Sequence, residues 1–451
     1  MKNLITIRRP IIIFPIIFAF FSMINLYIKN FKLINVSELV VPGIVIFVLY
    51  TGIWWVSHRI TGNRSKTAII TSIFFILFFS FGHFLSAFTS LLLRLTGIDL
   101  HPFVFNNISW KMIVLLVVWV GVFFIFAYSV NHINSDVRII ILFMNVTSIT
   151  LLVVMVYQTT RETINTQKFV REGIKESNQV SRNSQSSSIQ QAEPPDNPLP
   201  DIYYLIIDGY GNANTLNRYY GYDNNEFLTF LENKGFYTST YSHSNYPHTL
   251  LSLSSSLNME YLDEVAEIVG KSSINPLPLI QKIQSNRIIV FLDNHNYATV
   301  AYESGYGATE LRSADYYFAP EQTLTAFQSE LINLTPLWIW LRNVQFESQR
   351  QRILFIFDQL PSASRSNQPT FVFAHVTSPH PPFVFGPNGE KDNPDMAYST
   401  MDANYFTDIA GQEEYVQRYR NQVIYLNTLM EKMIGYLWLI QALIILTITF
   451  Q

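Results

Sequence analysis

Five apolar runs dominate the first 157 residues: Pro10 to Ile28, Leu39 to Val56, Ala68 to Leu93, Met112 to Val130 and Ile139 to Tyr157. Each approaches the ~20 residues that carry a helix across a hydrocarbon core about 30 Å thick, and soluble helices are seldom apolar on every side over such lengths. The runs predict five transmembrane helices over residues 1–157. The first is too long for a cleaved signal peptide and closes without a small-residue cleavage site, so it should remain as an anchor. In the short loops Lys2, Arg8, Arg9, Arg59, Arg64, Lys66 and Arg138 fall on one side, against Lys29, Lys32, Arg94 and Lys111 on the other. The excess predicts a cytoplasmic amino terminus. An odd number of spans then makes this a multi-pass integral membrane protein whose carboxyl-terminal domain is extracytoplasmic.

The remaining sequence excludes several function classes. There are no cysteines, so disulfides, thiolate metal sites and a cysteine nucleophile are ruled out. A formal net charge of -3, with acidic and basic residues mixed, leaves no footprint for nucleic acid. Residues 158–200 read as a stalk and linker: Thr159 to Val180 is polar and able to continue as helix, whereas Ser181 to Pro200 (SRNSQSSSIQQAEPPDNPLP) is too poor in apolar residues to fold. The third region, 201–451, suits one α/β domain.

Within that domain Ile202 to Ile207, Tyr297 to Tyr302 and Thr370 to Val376 read as strands. Asn225 to Lys234, Leu277 to Asn294 and Glu413 to Ile434 read as helices. The alternation predicts a mostly parallel sheet covered by helices. Functional groups in such sheets gather at the carboxyl ends of the strands. Asp208, directly after the first strand, offers a hard carboxylate ligand for a divalent cation, or simply closes the strand with an Asp-Gly turn. Thr249, in SNYPHTLLSLSSSLN, follows a proline turn and starts a helix-like segment. It is either an N-cap beside a small-residue face, or a hydroxyl that the helix terminus and a cation could activate as a nucleophile. In FVFAHVTSPHPPFVF, His375 lies on the strand and His380 in the proline-rich loop after it, where an imidazole can meet a phosphate oxygen or protonate a leaving group.

Taken in order, PDIYYLIIDGYG, SNYPHTLLSLSSSLN and AHVTSPHPPF resemble the sulfatase and alkaline phosphatase superfamily, most closely its membrane-anchored lipoteichoic acid synthase-like branch. The resemblance runs from about Pro200 to Leu437. It implies a sulfatase-like α/β domain with Asp208 as a metal ligand, Thr249 as the metal-bound nucleophile, and His380, with His375, on the substrate side. The implied cofactor is a divalent metal ion: manganese, magnesium, zinc or calcium. The implied partners are the lipid bilayer and a phospholipid, glycolipid or glycan substrate of the cell envelope. Sulfatases proper mature a cysteine or serine within a short motif carrying proline and arginine. This chain has no cysteine, and no arginine lies between Arg218 and Arg287.

The superfamily completes its metal site with an Asp-His-Gly motif on a late strand, and no aspartate here precedes a histidine. The resemblance therefore implies a carboxyl-terminally truncated domain. The apolar tail after Leu437 reads as a short membrane segment, as a final strand over Ile444 to Phe450, or as the product of a frameshift. Three functions follow as expectations. The first is a metal-dependent phosphotransferase or phosphohydrolase with a threonine nucleophile. The second is a non-catalytic envelope protein or remnant of such an enzyme, and the third a sulfuric ester hydrolase.

Overall fold

A computed structural model describes residues 11–31, 33–96, 110–184, 199–239, 241–364, 368–392, 398–400, 406–407, 411–439 and 444–450. Lys2, Arg8, Arg9 and Lys32, residues 185–198 of the expected linker and residues 440–443 of the tail lie outside them. The chain divides into two compact units. One takes in Met1–Thr163 and Leu324–Arg342; the other takes in Ile164–Thr323, Asn343–Pro394 and Tyr398–Gln451.

The first unit contains helices α1 (Phe14–Lys29), α2 (Val40–Thr61), α3 (Arg64–Thr96), α4 (Trp110–His132) and the start of α5 (Arg138–Ser184). Four segments are long and apolar enough to cross a membrane: Val36–Thr61, Arg64–Leu85, Ile113–His132 and Arg138–Arg161. Most of that apolar surface is uncovered by protein, with only 6% of the Ile113–His132 window buried, as expected of helices solvated by lipid. The first expected span differs. Pro15 stands in the first turn of α1, where its missing N–H costs nothing, and the helix starts at Phe14 rather than near Pro10. Its 16 residues reach about 24 Å at 1.5 Å per residue. Among the described residues four helices, not the expected five, therefore have spanning length. The last of them runs on without a break through the expected stalk to Ser184.

The second unit opens with β1 (Asp201–Ile207), α6 (Ala213–Tyr220), α7 (Asn225–Asn233), α8 (Thr249–Ser256), α9 (Asp263–Val269), α10 (Leu277–Gln284), α11 (Arg287–Asp293), β2 (Ala298–Tyr302) and β3 (Tyr316–Phe318). The next helix, α12 (Ala326–Asn333), belongs to the first unit, as does the beginning of α13 (Trp338–Gln359). After α13 come β4 (Thr370–Val376), α14 (Gln412–Leu439) and β5 (Ile444–Phe450). The strands form one sheet in the order β3-β2-β4-β1-β5, with every pairing parallel. The strand reading of the tail is the one observed: β5 lies beside β1 with Phe450 level with Ile207. Tyr203, Leu205, Ile206 and Ile207 are fully buried, each side chain contributing about 1.5–3 kcal/mol by leaving water.

The helix expected over Leu277 to Asn294 is two helices. The chain breaks at Ser285, and Asn286 caps α11 by accepting from Ile289 N at 2.9 Å. A polar side chain here competes successfully for the backbone donor that a continuous helix would use. The short strand β3 and the long helix α13 carry too little apolar periodicity to be read from sequence.

Within the first unit Gly82 donates its N–H to Leu334 O at 3.2 Å, and a Cβ on Gly82 would lie 2.2 Å from Asn333 O. Gly82→Ala should therefore lower the thermal unfolding midpoint in detergent, by an amount equivalent to about 1–3 kcal/mol of overpacking. Gly121→Ala on α4, with nothing within 4 Å of the added atom, should leave the midpoint unchanged or raised. Intrinsic fluorescence on heating measures both.

Candidate active site at the carboxyl edge of the sheet

β1 and β4 pair side by side at the centre of the sheet, and the ladder continues past β1 through Asp208 N donating to Val376 O at 2.9 Å. The backbone turns sharply at Gly209, at φ +76°, where an L side chain is strained. The turn also brings the next loop in: His380 N donates to Asp208 O at 3.0 Å. The Asp-Gly turn and the histidine loop are thus fixed to each other before any side chain is considered.

Asp208 is 8% exposed, and its side chain stands among three of the groups singled out from sequence. Thr249 Oγ1 donates to Asp208 Oδ1 at 3.3 Å. The N-cap of α8 is His248, whose Nδ1 accepts from Leu250 N at 3.3 Å. This corrects the reading of Thr249 as the cap. Thr249 is the first helical residue and remains partly exposed, at the end of the helix that favours anions. The serines that follow belong to the packed face: Ser252, Ser254 and Ser255 are buried, and Ser254 and Ser256 donate to the Leu251 and Ser252 carbonyls.

His375 is 1% exposed, with Nε2 3.6 Å from Asp208 Oδ2, just beyond a closed hydrogen bond. Its Nδ1 lies 2.7 Å from the hydroxyl of Thr309, in the 3₁₀ turn Gly307–Thr309 that follows β2. The same hydroxyl donates to Tyr306 O at 3.0 Å, so Thr309 ties the His375 ring to the backbone of its own turn. His380 is half-buried, and its Nδ1 is 2.7 Å from Pro381 O. A carbonyl only accepts, so Nδ1 carries a proton and Nε2 is the atom left to meet a ligand. Burial pushes the Asp208 carboxyl upward, but the His375 ring, the charge of His380 and the Thr249 hydroxyl together outweigh it. The net result holds Asp208 below the usual carboxylate range, ionised at neutral pH.

Two further layers were not anticipated. Behind the turn, Tyr419 of α14 donates to Gly209 O at 2.7 Å and accepts from Gly211 N at 2.9 Å, and Tyr210 donates to Asn427 Oδ1 at 2.6 Å. Burial raises the pKa of both tyrosines, so they act as neutral clamps. Beside His375, a polar chain leads inward. Ser304 Oγ is 3.2 Å from Thr309 Oγ1, Thr377 Oγ1 donates to Ser304 O, Gln349 Nε2 donates to Thr377 Oγ1 at 2.6 Å, and Arg352 Nη1 donates to Gln349 Oε1 at 2.8 Å. It ends at Glu303, 3.5 Å from Arg352, whose carboxyl burial pushes up despite that guanidinium. The only sequence signal for Tyr419 was the aromatic-rich stretch YVQRYRNQ; none marked Thr309.

As a metal centre the described residues are incomplete. Asp208 Oδ1 and Thr249 Oγ1 supply two oxygen donors 3.3 Å apart, whereas a divalent cation takes at least four ligands. No group of three or more His, Asp or Glu side chains able to hold one gathers among the described residues.

Removing the Thr309 hydroxyl with Thr309→Val preserves shape but leaves the buried His375 Nδ1 without its partner. The unfolding midpoint should fall by an amount equivalent to about 1–3 kcal/mol. The same exchange at exposed Thr428, whose hydroxyl donates to Ile424 O at 3.4 Å, should be close to neutral. Denaturant or thermal unfolding of the two variants in parallel measures the difference.

No protein-family profile matches the sequence, and no curated protein matches it. Among solved structures, the integral membrane protein lipooligosaccharide phosphoethanolamine transferase A from Neisseria meningitidis aligns over 96% of this chain and 81% of its own, at 13% identity and a TM-score of 0.32. A likeness of that size assigns neither fold nor activity to this chain.

Proposed function

We propose that this protein is a membrane-anchored phosphotransferase or phosphohydrolase whose catalytic domain faces the cell exterior or periplasm and whose nucleophile is Thr249. The observation that carries the reading is the hydroxyl of Thr249 held on the ionised Asp208 carboxylate, at a helix amino terminus, on the carboxyl edge of a parallel sheet. Oxygen nucleophiles need orientation and a route for their proton. Asp208 supplies the orientation and receives the proton as the Thr249 oxygen–phosphorus bond forms. The amino-terminal end of α8, which opens at Thr249, presents the positive end of the helix dipole to the phosphoryl oxygens. His380 sits across the turn from Asp208 and hands a proton to the departing alkoxide in its imidazolium form. In the second half the neutral His380 takes the proton of the attacking sugar, lipid or water hydroxyl as its oxygen bonds to phosphorus, the Thr249 oxygen–phosphorus bond breaks, and Asp208 returns its proton to the Thr249 oxygen. With two oxygen donors in place, no step is assigned to a metal ion.

The four apolar helices support a substrate met at the membrane, such as a phospholipid or glycolipid of the envelope. Sulfate ester hydrolysis is the weaker reading, because no arginine lies between Arg218 and Arg287 to accompany Thr249.

The test is turnover of a chromogenic phosphodiester and phosphomonoester by the purified full chain, alongside the matching aryl sulfate. Thr249→Ala should abolish phosphoester turnover, Thr249→Ser should retain part of it, and peptide mass spectrometry of the reacting protein should find phosphate on Thr249. Unchanged turnover in Thr249→Ala rejects the nucleophile. Binding of the phosphoesters without turnover by the wild type moves the protein to the non-catalytic class.

A further inference from the structure

The segment Leu324–Arg342 leaves the sheet domain's sequence after β3 and joins the unit of apolar helices. Phe327 and Leu331 of α12 are 3% and 7% exposed, packed with Ala19 and Met23 of α1, Ile46 of α2, and Phe75 and Phe79 of α3. At the start of α13, Trp338 and Ile339 are buried against Phe81 and Leu85 of α3 and Leu116 and Trp119 of α4. The α3 and α4 residues among these neighbours all lie inside the apolar stretches Arg64–Leu85 and Ile113–His132, so the segment packs on helix surface long and apolar enough to belong to the membrane.

On the other side of the same turn, large apolar side chains stay uncovered. Leu337 is 39% exposed and Trp340 55%, and Val344, one turn on along the same helical face, is 46% exposed. On α4, which carries Leu116 and Trp119, Val117 and Val118 are also open, at 64% and 55%. Leu337 and Trp340 thus belong to the same unit as the uncovered apolar surface of the spanning helices. In water such a patch would be costly; at the acyl and headgroup boundary a tryptophan is the preferred side chain. We propose that Leu337 and Trp340 are a lipid-contacting surface and that Leu324–Arg342 is an interfacial membrane element, with the bilayer as its occupant. The sheet domain's sequence is thereby anchored at an internal point as well as through α5.

Because the chain contains no cysteine, Trp340→Cys and Leu337→Cys each provide a unique site for a nitroxide label on the full chain in phosphatidylcholine nanodiscs. Ile274→Cys, at a position 98% exposed, serves as the aqueous reference. Power saturation should give both labels an oxygen-to-nickel accessibility ratio above that of the Ile274 label. A ratio equal to that reference overturns the proposal, as does dipolar broadening between labels, which assigns the face to a second copy of the chain. Trp340→Phe checks the result without a label. The fluorescence it removes should be quenched in wild-type protein by lipids brominated along the acyl chain, and its persistence in those lipids counts equally against lipid contact.

Discussion

Everything at the candidate site depends on the way Asp208 is held at both its backbone groups. Its N–H is the last rung between β1 and β4, and its carbonyl receives the N–H of His380. A strand-ending aspartate is ordinarily mobile at χ1 and solvated. Here the main chain is committed on both sides, and the Thr249 hydroxyl and the His375 ring both meet the carboxylate. The depression of its proton affinity is the electrostatic expression of that convergence, since burial alone would act in the opposite sense.

Much of this arrangement was legible in the sequence because it follows from local rules. An apolar β-branched run bounded by Asp-Gly has to be a strand ending in a turn, and in a parallel sheet that turn falls on the functional edge. Thr249 after Pro247 and His380 between prolines were readable in the same way. Other parts were not, and the reason is that long-range partners leave no periodic trace. Thr309 is 66 residues from His375, and Tyr419 is 210 from Gly209. His375 is buried, with Nε2 held 3.6 Å from the Asp208 carboxylate rather than in a closed hydrogen bond. Its position opposite Ile206 in the ladder, which faces it toward Asp208, required the strand register.

Helix α13 shows a different failure of pattern. Its inward positions include Gln345, Ser348, Gln349 and Arg352, all at most 5% exposed. Their i, i+3, i+4, i+7 spacing is that of an ordinary core-facing stripe, but the stripe is polar. Hydrophobic periodicity cannot find a helix that buries its polar side. The compensation lies in the hydrogen bonds from Arg352 through Gln349 to Thr377, which satisfy groups that would otherwise be expensive to remove from water.

That chain of polar contacts has a consequence for how the protein tolerates change. It joins Glu303 and Arg352 on one side to Thr309, His375 and Asp208 on the other through the half-buried Thr377. Residues sharing one buried network do not lose free energy independently. Sequence drift at Arg352 therefore alters which replacements Gln349 or Thr309 can accept, and the acceptable residues at these positions form a joint set. Divergent copies of this fold should change the network together or keep it together, which makes epistasis along α13 and β4 the imprint of a shared buried network.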